Sequence, residues 1–200
     1  MYGDLPKPKS RLHVSLNAPT TLIFTALCVC ATILGQVTGG AATRMFFSTY
    51  SAPLYDPFMY VRLFTHTIGH GGWDHLVSNM TYILLLGPLL EEKYGSQTLA
   101  LVILLTAGIT GVLNNLLFPN VVLCGASGVC FAFILLSSIT SLREGEIPLT
   151  FILVAVLFLG EQVVNGIVAK DNISQFTHII GGLVGAGLGF ALGGRKVPED

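Results

Sequence analysis

The sequence predicts an all-α protein of the polytopic membrane class, a six-transmembrane-helix bundle with a long structured loop between spans 1 and 2. Three observations carry that expectation. Charged residues make up only 10% of the 200-residue chain, whereas a soluble domain carries about a quarter. Mean hydropathy is +0.73. The apolar residues also gather into runs, and roughly 20 such residues are needed to cross a bilayer. A chain of this length suits one compact bundle rather than two domains. Its formal net charge of −1 leaves no electrostatic footprint for nucleic acid.

The runs cover about residues 20–39, 75–92, 97–117, 125–142, 148–167 and 174–193. Several contain Gly, Ser, Asn or Thr, which membrane helices tolerate where they pack on neighbours. The first follows Lys7, Lys9 and Arg11 and so imitates a signal peptide. Its length and the five runs behind it favour an uncleaved span. The expected division is a short cytoplasmic segment at 1–19, a six-span domain at 20–193 and a short cytoplasmic tail at 194–200. Cys28, Cys30, Cys124 and Cys130 lie in or beside the apolar runs. They read as small apolar filler rather than disulfides or metal ligands.

Basic residues set the orientation. With the N-terminus inside, the inner segments hold Lys7, Lys9, Arg11, Lys93, Arg143, Arg195 and Lys196, and the outer ones Arg44, Arg62 and Lys170. Cationic residues favour the cytoplasmic side, so both termini are expected there. The segment from about 40 to 74 is the longest connection and contains Pro53, Pro57 and Trp73. A connection of that length and composition reads as a structured cap at the interface rather than a linker.

In that topology spans 2, 4 and 6 all run inward, and their first turns share one outer depth. Span 2 opens with "WDHLVSNM", span 4 with "CGASGV" and span 6 with "SQFTHIIGG". These place His75 and Asn79, Ser127, and His178 at one level. Taking span 6 to begin near Ser174, His178 lies about 6 Å below the surface at ~1.5 Å per residue. Ser127 needs a base to become a nucleophile, and imidazole is the usual one. After His178 come Gly182, Gly185 and Gly189, a small-residue face that admits a close helix, here span 4. Gly125 and Gly128 leave room around Ser127. Backbone N–H groups at a helix N-terminus can hold an oxyanion. His75 and Asn79, at i and i+4, can supply further donors.

These residues carry a resemblance. "HLVSN", "GASG" and "THIIGGLVG", in that order on spans 2, 4 and 6, resemble the rhomboid intramembrane serine proteases over nearly the whole chain. "VRLFTH" resembles the Arg-containing loop after span 1 of that family, and "EEKYGS" its acidic turn closing span 2. The resemblance implies a Ser127–His178 dyad that cleaves membrane-spanning helices near the outer surface without a metal or other cofactor. It also implies that His75, Asn79 and the Ser127 N–H line the oxyanion hole. Two positions depart from the pattern. Phe131 stands where relatives often carry a tyrosine stacked on the base, and Val61 where a tryptophan often precedes the arginine.

The remaining polar residues draw quieter expectations. His66 and His70 have zinc-like spacing but no HExxH pattern. His70 is expected to shape the site floor or the polar network of the loop instead. Glu91, Glu92 and Lys93 read as a salt-linked interfacial turn. Glu161, inside span 5, is expected to face the site or its gate, with a third place in a triad the weaker reading. Substrates would be single-span or polytopic membrane proteins that unwind locally, with a small residue at the cut. The short N-terminus, lacking an Arg/Ser-rich transit-like region, points to a bacterial plasma membrane with the site opening outward. The rival reading is a non-catalytic rhomboid-like protein that binds and escorts membrane helices.

Overall fold

The structure is a computed structural model. It describes residues 16–139 and 172–192, with isolated positions between 149 and 160. Among the described residues the named elements are seven helices, with no strand. These are α1 (Pro19–Val37), α2 (Ala41–Phe46), α3 (Pro57–Thr65), α4 (Trp73–Tyr94), α5 (Ser96–Leu117), α6 (Ser127–Ile139) and α7 (Asn172–Leu192). Apolar runs 1 to 4 and 6 coincide with α1, α4, α5, α6 and α7, with ends shifted by a few residues. Run 5 is described only at those isolated positions, and Glu161 and the basic residues Lys7, Lys9, Arg11, Arg143, Lys170, Arg195 and Lys196 lie outside the described residues.

The helix ends follow local chemistry. Proline opens both α1 and α3 within the first turn, where its missing N–H costs nothing. Asp56 caps α3 by accepting from Phe58 N at 3.0 Å. Gly95, at φ +81°, ends α4 and starts α5, so one residue in a conformation suited to glycine reverses the chain. The long connection between α1 and α4 is not a plain loop, since it carries α2 and α3.

The packing inverts that of a soluble domain. Leu34, Leu85, Leu89, Leu104 and Leu116 are exposed, while His66, His70, Asn79, Asn114, Thr106 and Thr110 are buried. Apolar side chains facing out and hydrogen-bonding groups facing in are what a lipid solvent favours. By length and composition, α1 and α5 are each able to cross a membrane. The core between them is built from Ile83, Leu90, Leu99, Val102, Phe133 and Leu136, all buried.

Small residues set the closest crossings. A Cβ on Gly87 would lie 2.6 Å from Thr21 Cγ2, and one on Gly111 2.6 Å from the Leu63 carbonyl oxygen. Thus α5 meets α3 nearly backbone to backbone, and α4 takes the Thr21 side chain of α1 directly against its backbone. The most extensive helix contact is between α6 and α7.

The "EEKYGS" turn corrects one expectation. The Glu91 carboxylate makes no ion pair among the described residues. Its Oε1 accepts from Thr20 N at 2.7 Å, and its Oε2 from Thr21 N at 2.9 Å and Thr21 Oγ1 at 2.8 Å. Glu91 is therefore the N-terminal cap of α1, supplied from another helix. A carboxylate suits the exposed N–H groups there.

Candidate active site

The α6–α7 seam brings residues distant in sequence to one level. A Cβ on Gly181 would run into the Gly128 carbonyl, and one on Gly185 into the Ala132 carbonyl. Gly189 meets Ile139 at 3.1 Å by the same measure. Residue numbers rise together along the seam, so the two helices run parallel. The glycines that meet α6 are thus Gly181, Gly185 and Gly189. Gly182, expected on that face, is buried one position further round α7.

His178 lies one turn before Gly181, and Ser127 one residue before Gly128. The register therefore sets His178 beside the first turn of α6. Phe131, four residues after Ser127 on the same helix face, has its ring centroid 4.3 Å from that of His178, tilted by 41°. The helix starts earlier than expected: α7 begins at Asn172, which puts His178 about 9 Å along it at ~1.5 Å per residue. Ser127 is the first residue of α6, and the same register sets it level with Ile180, about 12 Å along α7 at ~1.5 Å per residue.

The second convergence joins α4 to the turn before α6. Gly125 has φ +127°, and a Cβ there would lie 2.7 Å from both His75 Cε1 and Nε2 and 3.7 Å from Asn79 Nδ2. Only glycine fits: its backbone angle suits no other residue, and the imidazole fills the space. His75, Asn79, Gly125 and the start of α6 thus surround one point. The Asn79 amide nitrogen is buried and has no hydrogen-bond partner among the described residues, an unusual state for a buried donor.

His66 holds this turn in place, a role its sequence context did not signal. Its carbonyl accepts from Gly125 N at 2.9 Å. Its Nδ1 lies 3.2 Å from the Arg62 carbonyl, which only accepts, so Nδ1 carries the proton. Its Nε2 lies 3.3 Å from Thr110 Oγ1. Burial pushes His66 down to about 4, so it is a neutral structural group. The available signal was "DP" at Asp56–Pro57, an N-cap followed by an N1 proline. Taken as a helix start, it puts Arg62 and His66 one turn apart at the end of α3.

Three further contacts fix the cap. Arg62 is buried, with Nη2 2.8 Å from Asp56 Oδ2 and its guanidinium 4.4 Å from the Tyr50 ring centroid. That guanidinium holds the Asp56 carboxyl below its ordinary range. Thr49 and Leu123 exchange backbone hydrogen bonds at 2.8 and 2.9 Å, pinning the cap to the strand-like approach to α6. Val61, in front of Arg62, is exposed, so the arginine is anchored without help from that side chain.

His70 packs edge-on against His75 with ring centroids 5.0 Å apart, and its Nδ1 lies 3.2 Å from the Ile68 carbonyl. Burial, with His75 beside it, brings His70 down to about 4. It also forms one wall of a cleft of about 470 Å³ that reaches Arg44, Ser48 and Val122. His66 and His70 are engaged in separate contacts rather than facing a shared centre. Glu91, about 24 Å along α4 from His75 at ~1.5 Å per residue, belongs to the opposite end of the bundle.

Inverted polarity, an all-helical core and a serine and a histidine brought level across a glycine seam define a membrane-embedded helical protein with a polar site. Residues 57–195 match the Rhomboid domain family model, and the chain belongs to the rhomboid family. Three relatives illustrate the range. Rhomboid protease GlpG of Haemophilus influenzae is 30% identical over 112 residues, 56% of this chain and 57% of that protein. Rhomboid protease GluP of Bacillus subtilis is 31% identical over 173 residues, 82% of this chain and 33% of that protein. Rhomboid-like protein 11, chloroplastic, of Arabidopsis thaliana is 28% identical over 135 residues, 60% of this chain and 48% of that protein. The chain thus spans from a third to somewhat over half the length of these relatives.

Proposed function

We propose that this protein is an intramembrane serine endopeptidase that cuts membrane-spanning helices of other proteins near the outer face. The observation that carries the reading is the Phe131 ring against His178 at 4.3 Å, one helical turn from Ser127. In this reading Ser127 Oγ attacks the scissile carbonyl while His178 takes its proton. The Ser127 N–H, His75 and Asn79 stabilise the oxyanion; the unspent Asn79 donor supports that assignment, because charge develops where donors already point. His178 then protonates the leaving amine, and a water deprotonated by His178 releases the acyl product. The cleft behind His70 offers a route for that water. Residues of this chain perform each step, with no cofactor.

The same reading takes the chain as a six-span domain at 20–193 between short cytoplasmic ends at 1–19 and 194–200. Segments 1–19 and 194–200 face the cytoplasm, the membrane is a bacterial plasma membrane, and the site opens outward. A helix shields its own peptide bonds by internal hydrogen bonding. Substrates are therefore helices that unwind locally near their outer ends, with a small residue at the cut.

The test is reconstitution of the full chain in lipid vesicles with a single-span substrate carrying small residues near its outer end. Cleavage is expected, and is lost in Ser127→Ala and in His178→Ala. Cleavage persisting in either variant overturns the dyad. A folded, unmutated protein that binds such substrates without cutting them favours a non-catalytic escort.

A further inference from the structure

Nothing yet explains why the Asn79 amide presents its nitrogen, rather than its oxygen, to the site. The two ends of an asparagine amide are nearly the same size, so packing alone does not choose between them. An oxygen turned toward a developing oxyanion would repel it. Cys130 supplies the choice. Its Sγ lies 3.4 Å from the Asn79 backbone oxygen and 3.7 Å from Asn79 Oδ1. Both oxygens accept, so the thiol proton points between two acceptors on one residue. The reversed amide would leave the thiol proton the backbone oxygen alone and turn the side-chain oxygen toward Gly125.

We propose that Cys130 is a positioning residue, whose S–H holds the Asn79 side chain with Nδ2 facing Gly125 and the start of α6. This rests on the function proposed above and deepens it. Cys130 sits three residues after Ser127, and its N–H donates to Ala126 O at 2.9 Å, so it belongs to the first turn of the helix that Ser127 opens. One rigid turn thus carries the nucleophile and the group orienting an oxyanion donor on a different helix. Both partners are sealed from solvent, with Cys130 at 3% and Asn79 at 6% exposure, so water does not substitute for the thiol. The sequence reading of Cys130 as apolar filler therefore describes its packing but omits its hydrogen bond. A thiol is a weak donor, and the expected effect is correspondingly modest.

The test compares Cys130→Ser, Cys130→Ala and Cys130→Val in the full chain, with kcat and KM for one single-span substrate. Ala and Val are expected to lower kcat by about tenfold at unchanged KM, despite their different volumes. Ser, which keeps a donor on the same Cβ, is expected to recover most of the rate. In an Asn79→Ala background, Cys130→Ala is expected to cost nothing further. Equal kcat in the Ser and Ala variants, or a full additional loss in the Asn79→Ala background, overturns the proposal. The side-chain amide resonance of Asn79, identified by its absence in Asn79→Ala, gives a readout independent of cleavage. It should move in Cys130→Ala and stay in Cys130→Ser; an unmoved resonance in Cys130→Ala sinks the positioning role. An unmutated protein that cuts nothing overturns the protease reading alone.

Discussion

The two ends of α4 hold polar clusters of opposite character. At the C-terminal end, Glu91 accepts from Thr20 and Thr21 through both of its oxygens. At the N-terminal end, Asn79 Nδ2 and, just before the helix, His70 Nε2 are buried with no hydrogen-bond partner among the described residues. Leaving a buried polar group unpaired costs about 1–3 kcal/mol, so a fold tolerates it only where something else benefits. The difference runs along one helix: the satisfied end joins α4 to α1, and the other end leaves a buried amide donor, Asn79 Nδ2, unpaired among the described residues.

Breaking that contrast should give graded effects. Ser127→Ala is expected to reduce cleavage on the order of 10⁴-fold or more while leaving the thermal midpoint unmoved. Asn79→Ala should lower kcat by roughly 10²-fold, the size expected of one oxyanion donor, again with little loss of stability. Glu91→Ala should do the reverse. It strips the α1 cap and destabilises the fold by about 2 kcal/mol, read as a lower unfolding midpoint, while kcat per folded molecule holds. If Glu91→Ala abolished turnover in folded protein, the division between the two ends would fail.

Acid should act on the unsatisfied end and its supports. Burial holds His66 at about 4, against an ordinary value of 6.5, and His70 shifts the same way. Between those values the unfolded chain takes up protons that the folded chain refuses. Stability from these groups is therefore complete above about pH 6.5 and declines as pH falls toward 4. Thermal midpoints measured from pH 7.5 to 4.5 should drop, and His70→Gln should flatten the slope. The smallest effect is expected from Phe131→Tyr. The ring already packs on His178, so an added hydroxyl should change kcat by only a few-fold; a gain of tenfold or more would make the missing hydroxyl a determinant of rate.

Much of the architecture was legible because lipid leaves a coarse mark on sequence. A run such as 97–117 has few alternatives to a helix, and α5 is found at Ser96–Leu117. The candidate site residues stood out for the same reason, since a serine or histidine in an apolar run is conspicuous. The less legible features depend on contacts across the chain. "EEKYGS" looked like a salt-linked turn because Glu and Lys adjoin, yet the partners of Glu91 lie 70 and 71 residues away. Gly185 and Gly189 meet α6 as the repeat suggested, and Gly181 joins them, a contact not legible beforehand because a 3.6-residue repeat does not fix which stripe a neighbour takes.

By itself the sequence determined which segments become helices and which residue types can do chemistry. Hydropathy and proline or glycine punctuation are local properties of the chain. Only the tertiary structure decided which of those groups meet. It put the Gly128 carbonyl against Gly181, the His75 ring in the space a Gly125 side chain would need, and the Cys130 thiol on Asn79. Those meetings follow from close packing between backbones, where a single methyl group is enough to forbid them.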